Sequence, residues 1–227
     1  MKPYLKETQI NILKNLAKYK YLTTKQIISI GIVKSMPNLN PLLIDMRKKP
    51  KALVNRIVFG VHPKVGKLND IYFLTRKGVV FLIENDKNGE FTEHKIKYPK
   101  NTSSLFYNDY FHRINTIDFL IRFNDFITIN NYKILLCDTY FDKVSDKTKK
   151  QILKAKTQIK LINASDTKSI IPDCNIIYIA KKQRHLFLLE IANGKNTKRI
   201  LNQIKLHILA LNEGAPSRKY NLEKANR

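Results

Sequence analysis

The spacing of hydrophobic positions in the first part of the chain predicts three helices. Isoleucine and leucine recur every three or four residues over about 6–19, which is the period of an amphipathic helix. Thr23 is followed three residues later by Gln26, a capping-box pattern that predicts the start of a second helix. Asn40 and Pro41 fit an N-cap and a first helical position, so we expect a third helix to begin there.

Two extended segments follow the helices. Residues 53–59 and 70–74 are rich in β-branched and aromatic side chains, and the loop between them contains two glycines and a proline. This pattern predicts a β-hairpin, after which Thr75 caps a further helix. Three helices followed by a hairpin is the element order of a winged helix-turn-helix, which we expect over residues 1–84.

The rest of the chain predicts a second domain of mixed α/β type. Residues 85–104 are polar and contain glycine and proline, so they read as a linker, and residues 213–227 read as a flexible tail. Between them, residues 105–212 form the second domain. Its predicted elements are a helix over 105–127, strands over 132–137, 175–180 and 185–191, and a closing helix over 197–211. Ile200, Ile204, Ile208 and Leu211 of the closing helix are expected to face inward.

The charge balance narrows the function. The chain has 227 residues with 42 Lys plus Arg against 18 Asp plus Glu, a net charge of +24. Residues 1–76 carry 15 basic and 3 acidic side chains, so a third of the chain holds half of the excess. Such a field attracts a polyanion, and nucleic acid is the first expectation. An anionic membrane surface ranks second.

Other features of composition exclude several classes. The five histidines are scattered, and two cysteines are too few for a disulfide scaffold or a zinc site. The N-terminus has no signal-peptide pattern, and no apolar run approaches the length of a membrane span, so we expect a cytoplasmic protein with no membrane partner.

The predicted DNA contacts cluster around the third helix and the hairpin. Polar residues at the start of the helix are candidate base readers, and basic residues at its end and in the hairpin are candidate phosphate contacts. These residues are Ser35, Asn38, Asn40, Arg47, Lys48, Lys49, Lys51, Arg56, Lys64 and Lys67. For Asn40, a helix cap is the stronger interpretation.

Two carboxylates mark the second domain. Asp173 lies eight residues before Lys181, and Glu190 lies six after Arg184. If residues 181–184 form the turn of an antiparallel hairpin, the two carboxylates come close together across it. Paired carboxylates repel each other unless Mg²⁺, a basic side chain or a proton compensates.

This arrangement resembles known families. A helix, a strand, Pro172-Asp173, a hairpin ending at Glu190 and a final helix follow the order of the PD-(D/E)xK nuclease core. Together with the predicted winged helix and with His112 and Asn115 on the intervening helix, the chain resembles the replication-relaxation family over about 5–210.

The resemblance implies a double-stranded DNA-binding accessory protein of plasmid or mobile-element mobilisation or replication, of the relaxosome type. Its implied partners are a plasmid origin and a separate relaxase, and a homodimer is a further expectation. It also implies catalytic roles for Asp173, Glu190 and His112 if the domain is active.

One position departs from an active nuclease. Ala192 stands where the motif places a lysine, Lys195 is three residues late, and Lys205 lies on the closing helix. That lysine normally stabilises developing charge, so we expect a non-catalytic protein without a cofactor. Two alternatives stay open. One is a Mg²⁺-dependent endonuclease with Asp173 and Glu190 on the metal and Lys195 as a displaced lysine. The other is a winged-helix transcriptional repressor whose C-terminal domain dimerises.

Overall fold

The structure has mixed α/β character and comprises two compact units. It is a computed structural model that describes residues 4–86, 88–99, 109–145, 153–162, 168–194 and 196–222. Helices alternate with several small antiparallel sheets, which confirms the α+β class expected from the sequence. The first unit spans Met1–Ile121 and the second spans Arg122–Arg227. In the described residues, no helix has the length and apolar character to cross a membrane.

The first two helices form as predicted. Helix α1 (Glu7–Tyr19) buries its isoleucine and leucine side chains along one face. Helix α2 (Thr24–Ser29) begins at the expected capping box, in which Thr23 Oγ1 accepts from the Gln26 amide and the Gln26 side chain accepts from the Thr23 amide. Ile27 is fully buried, so this short helix is fixed by local capping and by packing together.

Helix α3 (Met36–Arg47) begins earlier than predicted. Ser35 is its N-cap residue, and Asn40 and Pro41 lie inside the helix, so the expectation of an Asn40 cap was wrong. Proline in a helix interior costs about 3 kcal/mol. The inner face offsets this cost, because Leu39, Leu43 and Met46 are at most 1% exposed and each contributes roughly 1.5–3 kcal/mol by burial.

A three-stranded antiparallel sheet joins the predicted hairpin to the helices. Its strands are β1 (Leu22–Thr23), β2 (Val54–Ile57) and β5 (Ile71–Leu74), in the order β1-β5-β2. Between β2 and β5, strands β3 (Val61–His62) and β4 (Gly66–Lys67) pair at the hairpin tip. Gly66 has a φ of +76°, a turn conformation that favours glycine.

Helix α4 (Arg76–Glu84) follows the sheet and is capped by Thr75, as predicted. Gly78 lies in its first turn, where the chain passes very close to the end of the preceding loop. A Cβ atom at Gly78 would lie 2.2 Å from the Leu53 carbonyl oxygen. A side chain at this position is therefore incompatible with the close approach of α4 to the sheet.

The predicted linker is partly structured. Ile96 is buried, and the Lys97 amide donates to the Ala17 carbonyl of α1 over 2.8 Å. The described part of 85–104 therefore packs on the first unit instead of extending as a free connection, because its apolar side chains are buried there. Residues 87 and 100–104 lie outside the described residues.

Helix α5 (Tyr110–Ile129) contains the boundary between the units. This position differs from the predicted boundary, which gave the whole helix to the second domain. Its first half belongs to the first unit, since the Tyr110 hydroxyl bonds the backbone of Asn69 and Asp118 accepts from Gln26 Nε2 over 2.8 Å. Residues 105–108 lie outside the described residues.

The second unit is built on a three-stranded antiparallel sheet. Its strands are β6 (Lys133–Thr139), β11 (Cys174–Ala180) and β12 (Gln183–Leu189), in the order β12-β11-β6. The turn at 181–182 joins β11 to β12 as predicted. Smaller pairs are formed by β7 (Lys143–Ser145) with β8 (Leu153–Ala155) and by β9 (Ile159–Lys160) with β10 (Ser169–Ile170).

Two helices complete the second unit. Helix α6 (Thr197–Asn212) corresponds to the predicted closing helix, and α7 (Ala215–Tyr220) lies in the segment that was expected to be a flexible tail. That expectation was wrong for the described part of the tail. Ala215 is 3% exposed, and the Tyr220 hydroxyl accepts from Asn175 Nδ2 over 2.6 Å, so α7 is fixed to the sheet.

The orientation of α6 also differs from the prediction. Ile204, Ile208 and Leu211, expected to face inward, are 50%, 52% and 54% exposed. Ala210 and Leu206 pack into the core instead. The hydrophobic period correctly predicts the helix, but α6 carries apolar residues on two faces, and the period alone does not say which one packs against the sheet.

Candidate nucleic-acid interface

The outer face of α3 offers amides and carries no cation before its last residue. Asn38 and Asn40 are exposed, and Ser35 is half-buried at the N-cap without a side-chain capping bond. Residues 36–46 contain no lysine or arginine. The exposed amides can donate and accept, as reading of a base edge requires.

The basic residues at the end of α3 divide into exposed and committed side chains. Lys48 and Lys49 are exposed, whereas Arg47 is half-buried. Lys51 forms an ion pair with Asp45, with Nζ and Oδ2 2.6 Å apart. Hydrogen bonds from Lys51 and then from Gln9 hold the pKa of Asp45 below its ordinary value. Lys51 was expected to meet phosphate, but here its charge is engaged within the protein.

The hairpin shows the same division. Near its base, Arg56 Nη1 lies 2.9 Å from Asp70 Oδ2, so this predicted phosphate contact is also held in an ion pair. At the tip, Lys64 and Lys67 are exposed. The hairpin therefore presents two lysines to solvent, while its arginine links the two strands.

Contacts at the tip fix the position of the hairpin. The His62 ring meets the Phe111 ring edge to face, with centroids 5.2 Å apart, and the Lys64 amide donates to His62 Nδ1 over 3.1 Å. Phe59 and Tyr110 make a second edge-to-face pair at 4.8 Å. Both aromatic pairs lie within the first unit, so the exposed lysines are carried by an anchored hairpin.

The carboxylates of the second unit do not assemble into a metal site. The β11–β12 register pairs Cys174 with Leu189, and one further step brings Asp173 opposite Glu190, as the sequence predicts. Asp173 is 4% exposed, and its Oδ2 accepts from the Ile191 amide over 2.6 Å. Glu190 instead lies 2.7 Å from His207 Nε2.

The other predicted catalytic residues do not complete this pair. His112 lies on the first half of α5, within the first unit, and Lys195 lies outside the described residues. In the part of the chain that the structure describes, no group of three or more His, Cys, Asp or Glu side chains could hold a metal ion. The residues present therefore do not fit a Mg²⁺ centre at Asp173 and Glu190.

A polar cluster that the sequence did not indicate lies beneath α7. Asn175 is fully buried, and its Nδ2 donates to the Thr157 carbonyl over 3.0 Å and to the Tyr220 hydroxyl. Burial raises the pKa of Tyr220 to about 12, and burial lowers the pKa of the neighbouring Lys219. No local pattern could have indicated this cluster, since its members lie up to 63 positions apart.

Comparison with known proteins returns nothing. No family model, no curated protein and no solved structure matches this chain. The function therefore has to be argued from its own residues.

Proposed function

We propose that this protein binds double-stranded DNA and serves as a non-catalytic accessory protein in the mobilisation or replication of a plasmid or other mobile element. The observation that carries the proposal is the set of exposed lysines at the end of α3 and at the hairpin tip. They belong to a chain with a net charge of +24. Cations in this number neutralise DNA phosphates and supply affinity that depends on salt.

The element order supports a winged helix-turn-helix as the binding unit. Helices α1, α2 and α3 are followed by a hairpin whose strands join β1 in one antiparallel sheet. In this proposal α3 enters the major groove, where Asn38 and Asn40 reach base edges, and an amide can bond adenine in a bidentate manner. Lys48 and Lys49, together with Lys64 and Lys67, meet the phosphates on either side.

The second unit supports a non-catalytic role. Its helix–strand–hairpin–helix order, with Pro172-Asp173 before β11 and Glu190 after β12, is that of a degenerate PD-(D/E)xK domain. Asp173 bonds the backbone, Glu190 bonds His207, and Ala192 replaces the expected lysine. Each departure removes a group that hydrolysis would need, so the domain is proposed as a scaffold that meets a relaxase or another origin-bound protein.

The salt dependence of duplex binding tests the DNA interface. Full-length protein is titrated into a labelled duplex from the origin of its own replicon at several salt concentrations, with fluorescence anisotropy as readout. Lys48→Ala/Lys49→Ala and Lys64→Ala/Lys67→Ala should each reduce the slope of log K against log salt by about 2. Lys133→Ala/Lys160→Ala, two exposed lysines of the second unit, is the matched control and should leave the slope unchanged. Equal slopes in all three variants would contradict the assignment.

A gel assay tests the absence of catalysis. Supercoiled plasmid carrying the origin is incubated with wild type and with Asp173→Ala, with and without Mg²⁺. The expected result is a mobility shift without nicking in every lane. Nicking that requires both Mg²⁺ and Asp173 would replace the accessory role with that of an endonuclease.

A further inference from the structure

Helix α6 has two hydrophobic faces, and only one of them is used by its own unit. On the inner face, Leu206 and Ala210 pack into a core cluster. The other members of that cluster are Ile159, Leu161, Ile170 and Ala215, with Leu188 packed against it. At 100° per residue, the inner residues point to the side opposite the exposed isoleucines.

The outer face is a regular apolar stripe. Leu201, Ile204, Ile208 and Leu211 are 51%, 50%, 52% and 54% exposed. Their spacings of three, four and three residues are those of the first and fourth positions in two successive heptads. This is the pattern of a seam between paired helices, and it is more specific than a scatter of exposed apolar residues. The α6 stripe, as we call these four residues, therefore indicates a helical partner.

The charges beside the stripe indicate the character of that partner. Lys198 and Lys205 are exposed along one edge, at the heptad positions that flank the seam. The segment 197–212 contains two lysines, one arginine and one histidine, and no acidic residue. Pairing with α6 of a second copy would bring basic helix against basic helix, and in the antiparallel case Lys205 would face its own counterpart. A helix with acidic edges has the complementary charge.

We infer that the α6 stripe binds an amphipathic helix of another protein, with hydrophobic residues at heptad spacing and carboxylates along its edges. The inference uses the exposure, spacing and charge of α6, and it does not depend on DNA binding. It gives the second unit an interaction surface of its own. A stripe of two heptads is short, so the contact is expected to be reversible.

Two designed peptides test the surface with full-length protein. Both are fluorescein-labelled, span three heptads and carry leucine or isoleucine at the seam, and they differ only in having glutamate or lysine at the flanking positions. At physiological salt the glutamate peptide should bind about tenfold more tightly than the lysine peptide, because charge pairs at the edges favour it. Fluorescence anisotropy gives both affinities.

Variants separate the stripe from general attraction to a basic protein. Ile204→Ser/Ile208→Ser leaves every charge in place and should weaken the glutamate peptide at least tenfold. Leu135→Ser, at a residue of β6 that is 45% exposed, is the matched control and should leave the affinity unchanged. Lys205→Glu should reduce the preference for the glutamate peptide. Circular dichroism confirms that each variant is folded.

Three results would overturn the inference. One is binding of the glutamate peptide that survives in Ile204→Ser/Ile208→Ser. Another is equal binding, or no binding, of the two peptides to wild type. The third is a concentration-dependent dimer, measured by sedimentation equilibrium, that Ile204→Ser/Ile208→Ser abolishes, because the stripe would then belong to a second copy. Duplex affinity measured on the same samples keeps this outcome distinct from failure of the proposed DNA interface.

Discussion

The two units differ in how completely they bury their hydrophobic residues. Within the described residues, the first unit has many large side chains that are at most 1% exposed, and the second has few. Those of the first are Ile12, Leu13, Leu16, Tyr21, Leu22, Ile27, Leu39, Leu43, Met46, Ile71, Leu74, Val79 and Ile117. Those of the second are Ile159, Cys174, Ile176 and Ala210. The second unit also buries the polar side chains of Asn175 and Thr157 and leaves the α6 stripe outside.

The difference assigns different work to the two units. A closed hydrophobic core holds α3 and the hairpin in a fixed relation, which a DNA-reading surface needs because base contacts tolerate little displacement. An incompletely closed core with an exposed seam suits a unit whose stability and role depend on a partner. The comparison can be broken by three substitutions of decreasing expected effect.

The largest effect is expected from matched leucine truncations. Leu43→Ala removes a side chain that is 1% exposed and should lower the free energy of unfolding of the first unit by about 2–5 kcal/mol. Leu211→Ala removes the same atoms from a side chain that is 54% exposed and should cost less than about 0.5 kcal/mol. Urea denaturation followed by circular dichroism gives the energies, and hydrogen exchange assigns each loss to its unit. Equal losses would contradict both the comparison and the exposure of the α6 stripe.

The success of the sequence analysis follows the same division. Where a structure is set by neighbours along the chain, the prediction is right: the Thr23–Gln26 capping box, the Thr75 cap and the 181–182 turn form as expected. Where distant residues decide, it fails. Burial of Leu39 extends α3 past the local Asn40-Pro41 signal.

The candidate site was predictable in position but not in partners. The exposed lysines follow from their place after α3 and in the hairpin loop. The pairs Asp45–Lys51 and Arg56–Asp70 do not, because they depend on rotamers of long side chains that only the folded chain fixes. The position of α7 depends on Asn175, 45 residues away from Tyr220, and no local pattern encodes that bond.

An intermediate effect is expected from the buried hydroxyl of the second unit. Tyr220→Phe removes the acceptor of a bond from Asn175, which should cost about 1 kcal/mol at neutral pH. The pH dependence sharpens the test. Burial raises the pKa of Tyr220 in the folded state to about 12, against about 10 when unfolded. The unfolded state therefore loses its proton first, and this contribution to stability falls as pH rises from about 10 to about 12.

Thermal unfolding of both proteins across this range measures the effect. The stability advantage of wild type over Tyr220→Phe should shrink above pH 10, because phenylalanine has no proton to lose. Other tyrosines titrate in both proteins and cancel in the difference. A constant difference from pH 8 to pH 12 would show that the Tyr220 hydroxyl is not buried against the sheet.

The smallest effect concerns the first unit, where ion pairs withhold predicted cations from DNA. Asp45→Asn removes the carboxylate that engages Lys51 while keeping a side-chain oxygen for Gln9. The released lysine should raise duplex affinity about two- to threefold and steepen the salt slope by up to about one. Asp125→Asn, at an exposed aspartate of the second unit, adds the same unit of net charge and is the control. Anisotropy titrations of the two variants decide the point. If both raise the affinity equally, the gain reflects net charge alone, and Lys51 is not part of the surface that meets phosphate.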